Sequence, residues 1–306
     1  MSLGGEEYVL RHADYTAVVT EVGAGLRTLR HGETDLVLGY AADAVRPRYR
    51  GALLAPWPNR VVDGSYAFDG EDLQLDITEP ERGHALHGLV TWSRFDLLDS
   101  DTSSVVLGHA IVPRTGYPFC VAVRSRYRLH DGGLTCSVTA KNVGDRPAPY
   151  GVGTHPYLLG GTGRVDDWTL EVPADQVQEV AGDRNLPQDV VEVAGTGFDF
   201  RRPRQVGGAE LDHAYTSLVP GDDGLVHARV TGDDGRGAEV VWDPRVLPWA
   251  QVHTADLPDP DQTRRALALE PMTCPPGAFN SGVDVVVLAP GEQHRASWTI
   301  RATPGR

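Results

Sequence analysis

The chain has 306 residues, with 42 acidic against 28 basic side chains and a formal net charge of −14. Apolar residues make up 41% and charged residues 23%, a balance that allows a packed core and argues against a largely disordered chain. The acidic excess also argues against nucleic acid or an anionic membrane as partner, because phosphates attract clustered Lys and Arg.

The sequence has no apolar run of membrane-spanning length, and residues 1–7 lack the basic start and apolar stretch of a signal peptide. The three cysteines, Cys120, Cys136 and Cys274, are odd in number and form no C-x-x-C pair, which disfavours a disulfide scaffold or a thiolate zinc site. We therefore expect a cytoplasmic protein whose cysteines serve as small apolar side chains.

Short strands dominate the pattern, with 35 Gly and 22 Pro spread along the chain and turn dipeptides such as Asp69-Gly70 between apolar runs. The predicted strands lie, in chain order, at 8–10, 15–22, 35–38, 65–68, 73–75, 119–129, 134–140, 168–172, 226–231, 238–242, 283–288 and 295–301. We expect an all-β fold, a large antiparallel β-sandwich, in a single domain over 1–306. Residues 41–64 and 173–210 are predicted to be long loops.

Several motifs of cofactor and nucleophile chemistry are missing from the sequence, namely G-x-x-x-x-G-K-[ST], G-x-G-x-x-G after a strand, G-x-S-x-G and H-E-x-x-H. His84 and His87 form an H-x-x-H pair, but that spacing without a third ligand is weak support for a metal site. We therefore expect neither a metal nor a cofactor.

Two segments combine polar side chains with backbone restriction. In Ala55-Pro56-Trp57-Pro58-Asn59-Arg60, a rigid loop with a salt-bridged Arg and a sugar site are both consistent with the residue types. In the second case Trp57 would offer a flat apolar face, and Asn59 and Arg60 would hydrogen-bond to hydroxyls. Near His87, Gly88 permits close approach of a ligand to the backbone, whereas His84 is expected to be hydrogen-bonded in a turn.

Three further polar residues stand in restricted or apolar contexts. His155 precedes Pro156 and follows two glycines, so its backbone is extended and its imidazole has little freedom. Glu270 ends an apolar alternating run that Pro271 is expected to terminate. A half-buried carboxyl there would have a raised pKa, as suits a general base. The competing interpretations are a His that caps a turn and, for Glu270 and Asp212 alike, a solvated acid.

In order along the chain, these segments resemble the aldose 1-epimerase (galactose mutarotase) family. The matching motifs are Asn59-Arg60, Leu86-His87-Gly88, Gly153-Thr154-His155-Pro156-Tyr157, Leu211-Asp212-His213, Glu270-Pro271 with Phe279-Asn280-Ser281-Gly282, and the ending Leu288-Ala289-Pro290-Gly291-Glu292. The similarity runs from about Gly23 to Ile300. It implies a β-sandwich with an open cleft that binds a free monosaccharide.

The resemblance also implies roles for individual residues. Glu270 matches the catalytic base, His155 the catalytic acid and His87 a second histidine that contacts the sugar. The implied enzyme is a cofactor-independent isomerase that interconverts the α and β anomers of an aldohexose. The remaining positions, matched to substrate binding or expected to line the cleft, are Asn59, Arg60, Asp212 and Gln251.

Differences from the family pattern affect the expected cleft walls. Leu89 and Met272 stand where many members carry Gly and Gln, and Pro276-Gly277 replaces a frequent Asp-Ala pair. The proposed acid and base are unaffected. The preferred aldose and the oligomeric state are left open.

Three other functions are consistent with parts of the sequence. A hexose-6-phosphate epimerase would need converging arginines, which Arg46, Arg48 and Arg50 could supply. A non-catalytic sugar-binding protein on the same fold would need neither an acid nor a base. A polysaccharide lyase or hydrolase on a similar sandwich would be expected to have a longer chain.

Overall fold

The computed structural model describes residues 2–305, which form mostly β-strands with one short α-helix, Ala278–Ser281 (α1), and two 3-10 turns, Pro47–Tyr49 and Val165–Asp167. The strands of the first half are Glu7–His12 (β1), Tyr15–Thr20 (β2), Gly25–His31 (β3), Thr34–Asp35 (β4), Leu53–Leu54 (β5), Arg60–Val62 (β6), Ser65–Phe68 (β7), Glu71–Gln74 (β8), His84–Leu86 (β9), Asp96–Ser100 (β10), Ser104–Ile111 (β11), Val121–His130 (β12), Gly133–Asn142 (β13) and Ala148–Tyr150 (β14). The strands of the second half are Gly153–Thr154 (β15), Tyr157–Leu158 (β16), Thr169–Glu171 (β17), Ala174–Ala181 (β18), Leu186–Glu192 (β19), Arg204–Gln205 (β20), Asp212–Leu218 (β21), Val226–Thr231 (β22), Gly237–Trp242 (β23), Trp249–His253 (β24), Leu267–Met272 (β25), Val286–Leu288 (β26) and Gln293–Ala302 (β27).

Two large antiparallel sheets account for most of these strands. The nine-stranded sheet has the order β10-β11-β12-β13-β27-β23-β22-β17-β20. The eight-stranded sheet runs β19-β18-β21-β24-β25-β15-β5, with β16 also paired to β25. Smaller sheets are β1-β2-β3-β4, β14-β26, β6-β9 and β7-β8. The predicted class, an all-β antiparallel sandwich, is confirmed.

One hydrophobic cluster joins the two large sheets, since it contains Val123 and Ile300 of the nine-stranded sheet together with Val252 and Leu269 of the eight-stranded sheet. Strand β12 shows how the pattern produces this packing. Its buried and exposed residues alternate as the period of two predicts, so that Tyr127 and its alternate neighbours point into the core. Burial of this apolar surface is the main stabilising contribution to the sandwich.

Residues 173–210 are not one long loop, as the sequence led us to expect. They contain β18 and β19, which pair with each other at the edge of the eight-stranded sheet. Strand β19 escapes a search for apolar alternation because it is the edge strand of its sheet and buries little of its surface. The burial pattern of β19 contains only intermediate and exposed residues. Strands β3, β10, β11, β21 and β24 were also absent from the prediction.

Pro271 does not end its strand, which contradicts the expectation. Strand β25 continues to Met272, and Pro271 pairs with Ala250 of β24. On either side of Pro271, the N–H groups of Leu269 and Thr273 point toward the β15–β16 segment and donate to the carbonyl oxygens of Pro156 and Val152, respectively. Pro271 faces the same side, at the interruption between β15 and β16. A residue without an N–H therefore fits there without a lost ladder bond.

None of the helices formed by residues 2–305 has the length and apolar character that crossing a lipid bilayer requires.

The core predicts a contrast between two identical substitutions. Leu29→Ala in β3 removes a fully buried side chain and should lower the free energy of unfolding by about 2–5 kcal/mol. Leu97→Ala on the edge strand β10, where the side chain is 49% exposed, should change it by less than about 1 kcal/mol. Urea denaturation of both variants checks this, and equal losses would contradict the assignment of the core.

Candidate active site

A row of polar side chains crosses the eight-stranded sheet. Gln251 and Glu270 are direct cross-strand partners on β24 and β25, and Asp212 begins β21 on the other side of β24. The Gln251 amide Nε2 donates to Asp212 Oδ1 at 2.8 Å. His155 extends the row from the bend between β15 and β16. The sheet register therefore brings together residues that are more than a hundred positions apart in sequence.

The backbone of His155 is fixed by hydrogen bonds on both sides. Its N–H donates to Ala52 at 3.1 Å, and its carbonyl accepts from Gly51 at 2.7 Å. The imidazole is stacked on the Tyr157 ring, with centroids 5.0 Å apart, and lies nearly parallel to the Tyr49 ring, with centroids 6.5 Å apart. These contacts hold the imidazole in one orientation. The position of His155 before Pro156 had led us to expect a ring with little freedom.

The second side of the site is built by the small β6-β9 sheet. Asn59 immediately precedes β6 and His87 immediately follows β9, and the His87 N–H donates to the Asn59 carbonyl at 2.8 Å. Both residues have positive φ angles, 53° and 62°, which are uncommon outside glycine. At Gly88, also at positive φ, a Cβ would lie 2.1 Å from the Ala55 carbonyl oxygen. Only glycine permits that close approach.

Arg60 enters the site between two carboxylates. Its Nε and Nη2 donate to the two oxygens of Glu79 at 2.7 and 3.0 Å, and Nη1 lies 3.8 Å from Asp212 Oδ2. Burial disfavours the charged guanidinium, but the hydrogen bonds to Glu79 and the charge of Asp212 raise the pKa of Arg60 above its usual value. For the Asp212 carboxyl, burial by itself would raise the pKa, but His253 and Arg60 hold that pKa below its usual value.

Glu270 and His155 face each other, with Glu270 Oε1 3.3 Å from His155 Nε2. Glu270 is 1% exposed, more deeply buried than the half-buried position expected. Burial, reinforced by the charge of Asp212, raises the pKa of Glu270 well above 4.5, and Arg60 opposes this. Burial, with His253 as a further cause, lowers the pKa of His155 to about 3. Both partners therefore favour their neutral forms.

Four buried polar atoms at the site lack a hydrogen-bond partner among residues 2–305. They are His87 Nδ1, His155 Nδ1, Gln251 Oε1 and Glu270 Oε2. Buried polar atoms in folded proteins are normally paired, so their convergence indicates a ligand that can both donate and accept hydrogen bonds. A polyhydroxylated molecule satisfies that requirement.

These residues line a cleft of about 720 Å³. All seven site residues predicted from the sequence contribute to its walls, namely Asn59, Arg60, His87, His155, Asp212, Gln251 and Glu270. The volume lies within the range of small-molecule sites. The structure therefore brings the predicted set together, while the role of each residue stays a prediction.

Other residues suggested by the sequence lie elsewhere. Trp57 does not offer a face to the cleft. It is buried against Tyr117 and Phe279, so of the two interpretations of this segment the sugar-stacking indole is excluded and the rigid loop holds for Trp57. Arg46 and Arg50 are buried outside the cleft lining, where they donate to the backbone carbonyls of Thr91 and Gly39.

The predicted hydrogen bonding of His84 is confirmed, although the residue begins strand β9 and does not lie in a turn. It is buried, with Nδ1 accepting from the Asp63 N–H and Nε2 bonded to the Arg184 carbonyl. It does not line the cleft with His87. The three cysteines are unpaired, and Cys136 and Cys274 are buried.

The cleft also contains residues that the sequence did not single out. Glu79 and Arg82 line one wall, and Tyr49 and His253 line others. Asn185 donates to Asp212 Oδ2 at 2.6 Å. No local pattern marks these residues, since Glu79 and Arg82 stand in a charged turn and Asn185 stands in the hairpin between β18 and the edge strand β19. Across residues 2–305, no group of three or more His, Cys, Asp or Glu side chains is placed to hold a metal ion.

Comparison with known proteins identifies the family. The aldose 1-epimerase family model matches residues 6–301, and the chain belongs to this family. The uncharacterized protein YihR of Escherichia coli K12 is 32% identical over 301 residues, 98% of this chain and 94% of that protein. The aldose 1-epimerase of E. coli K12 is 28% identical over 202 residues, 63% of this chain and 57% of the enzyme.

The fold has solved counterparts. The crystal structure of the GalM/aldose epimerase homologue from C. elegans superposes with a TM-score of 0.82, at 21% identity, over 98% of this chain and 100% of that one. The resemblance stated from the sequence motifs and the predicted antiparallel sandwich are thus both confirmed.

Burial of Glu270 predicts a pH-dependent gain in stability on its replacement. Above pH 4.5 the unfolded chain loses the Glu270 proton while the folded chain retains it, so each further pH unit costs the wild type about 1.4 kcal/mol until the raised pKa is reached. Glu270→Gln removes this cost. It should therefore be more stable than the wild type at pH 7 and nearly equal at pH 4.

Urea denaturation between pH 4 and pH 8 measures this difference. Glu33→Gln, at an exposed position, is the control and should follow the wild type throughout. A stability difference between Glu270→Gln and the wild type that stays constant with pH would contradict the raised pKa.

Proposed function

We propose that the chain is an aldose 1-epimerase that interconverts the α and β anomers of a free aldohexose. The observation that carries the proposal is the Glu270–His155 pair, a carboxyl and an imidazole 3.3 Å apart on the wall of a polar cleft. Anomer interconversion requires a base at one oxygen of the sugar and an acid at another, and both groups can lose and regain a proton.

The reaction follows from that requirement. Glu270 takes the proton of the anomeric hydroxyl while His155 Nε2 gives a proton to the ring oxygen, and the bond between C1 and the ring oxygen breaks. The open-chain aldehyde then rotates about the C1–C2 bond. In ring closure the roles reverse, so both residues regain their starting protonation and no electrons leave the sugar.

The proton inventory of the pair makes this cycle feasible. The neutral form, with the proton on Glu270, and the ionic form, with the proton on His155, contain the same number of protons. Burial favours the neutral form, while the nearby Arg60 charge favours ionised Glu270. The reactive ionic form is therefore reached by a proton transfer within the pair, without exchange with solvent.

The other site residues suit substrate binding. Burial, with the neighbouring His155, keeps the pKa of His87 well below 6.5, so the neutral ring can donate one hydrogen bond and accept another. Gln251 presents an unpaired carbonyl oxygen, and Arg60 can stabilise negative charge on a sugar oxygen.

Asp212 and Asn59 act largely by holding their neighbours in place. The Asp212 carboxylate accepts hydrogen bonds from Gln251 and Asn185. The Asn59 Oδ1 accepts a hydrogen bond from the Arg60 backbone N–H at 2.9 Å.

A hexose-6-phosphate epimerase is the second candidate. Of the three arginines considered, Arg48 lines the cleft, and it has no ion-pair partner within residues 2–305. Arg82 is nearby in the lining but pairs with Glu79. Because convergent free arginines are the usual phosphate site, the free sugar is favoured. Comparison of glucose with glucose 6-phosphate as substrates separates the two.

We also propose that residues 1–306 work as one domain in the cytoplasm. The largest hydrophobic cluster includes residues from Leu10 to Ile300, which supports a single core. The unpaired cysteines are in keeping with a reducing compartment.

Two substitutions test the assignment of base and acid. Glu270→Gln should abolish enzymatic anomer interconversion. His155→Asn should lower kcat by about 10²–10⁴-fold, with a smaller change in sugar affinity. Polarimetry of freshly dissolved α-glucose, α-galactose and other aldoses gives the rates. His12→Asn, at a surface hairpin, is the matched control.

Wild-type rates in Glu270→Gln would remove Glu270 from the mechanism. A loss of affinity alone in His155→Asn would make His155 a binding residue. Sugar binding by the wild type without acceleration of any aldose would favour a non-catalytic binding protein.

The paired titration predicts a broad pH profile. The active state has one proton on the Glu270–His155 pair. In acid, kcat/KM should therefore fall only well below pH 6.5, where protonation of His155 gives the pair two protons. It should fall in alkali only well above pH 4.5, where the last proton is lost. Initial rates corrected for the uncatalysed reaction measure both limbs, and a profile centred on an ordinary histidine pKa would contradict this prediction.

A further inference from the structure

We propose that Glu79 is a positioning residue that selects which edge of the Arg60 guanidinium faces the substrate. This inference rests on the proposed function, in which Arg60 contacts a sugar oxygen. Glu79 lies in the turn before β9 and belongs to none of the motifs that resemble the family. It is 8% exposed and lines the cleft together with Arg60.

The contact between Glu79 and Arg60 occupies one side of the guanidinium. Nε and Nη2 both donate to the Glu79 carboxylate, in the two-point geometry that makes arginine–carboxylate pairs strong and directional. Nη1 is left with a weak contact to Asn59 Oδ1 at 3.4 Å and a distance of 3.8 Å to Asp212. The Nη1 edge is therefore the part of Arg60 that remains available to a ligand.

Glu79 is itself held in place by the turn that follows it. Its carbonyl accepts from the Gly83 N–H at 2.8 Å, and its Oε1 also accepts from Arg82 Nη1 at 2.9 Å. The buried His84 ring ties the end of the turn to the backbones of Asp63 and Arg184. This explains why a histidine that is not in the cleft is nevertheless part of the segment beside it.

The charges support the same assignment. Burial raises the cost of an ionised Glu79, yet the hydrogen bonds from Arg60 and Arg82 hold its pKa below the usual value, so the carboxylate is charged. A charged Glu79 fixes Arg60 by electrostatic attraction as well as by geometry. Without it the long arginine side chain would have several rotamers available, and the Nη1 edge would no longer be presented in one place.

The decisive experiment is a double-mutant cycle on sugar turnover. Glu79→Gln should raise KM for the best aldose of the panel on the order of 10–100-fold, with kcat less affected, because a displaced Arg60 binds the sugar poorly. In an Arg60→Ala background the same substitution should have little further effect on KM. Glu79→Asp, which keeps the charge but shortens the side chain, should lie between Glu79→Gln and the wild type.

Glu71→Gln is the matched control, because Glu71 makes a two-point ion pair with Arg146 on the surface, at 3.2 and 3.0 Å. It should leave KM unchanged. An unchanged KM in Glu79→Gln, or an equal KM increase with and without Arg60, would overturn the proposal. A fall in the active fraction alone, with KM unchanged, would indicate a merely structural role and would overturn it too.

A second readout does not depend on activity. The ¹H–¹⁵N signal of Arg60 Nε, assigned by its loss in Arg60→Lys, should exchange slowly with water in the wild type and be lost or broadened in Glu79→Gln. A signal that persists unchanged would overturn the proposal even if the chain turned over no aldose. Conversely, if the wild type turned over no aldose but the signal was still present in it and lost in Glu79→Gln, the result would count against the epimerase and not against the positioning of Arg60.

Discussion

The burial of a carboxyl group inside a continuous strand is the constraint around which the site is organised. Strand β25 is buried along its whole length, and Glu270 occupies it as one of six buried residues. An isolated charge there would be costly, so the neighbouring groups must share or neutralise it. Burial and the charge of Asp212 raise the pKa of Glu270 and so favour its neutral form, while Arg60 nearby opposes this. The His155 imidazole lies 3.3 Å from the carboxyl.

A sheet is an effective support for such a group. The register of β24 and β25 places Gln251 directly beside Glu270, and the neighbouring strands hold that register by backbone hydrogen bonds on both sides. Rigid positioning of an acid and a base reduces the entropy loss that a reaction between freely moving groups would incur. Buried polar atoms of the site, such as Glu270 Oε2 and Gln251 Oε1, have no hydrogen-bond partner among residues 2–305, a cost in stability that functional sites commonly carry.

Two carboxylates, at different distances, balance the positive charge of Arg60. Glu79 holds the guanidinium from one side, and Asp212 lies on the other at a longer distance. Asp212 is in turn bonded by Gln251 and Asn185. Because these side chains share partners, we expect the effects of substitutions at neighbouring residues of the cleft wall not to be additive.

The sequence by itself determined the all-β class, the strands with clear apolar alternation such as β12, and seven of the residues that line the cleft. Alternation along β12 and short motifs such as Gly153–Tyr157 are local signals, and local signals can be read without coordinates. Only the tertiary structure decided that Trp57 packs in the core, that Pro271 continues its strand and that Glu79 reaches Arg60. Those outcomes depend on which distant segments become neighbours, and no residue pattern within one segment specifies them.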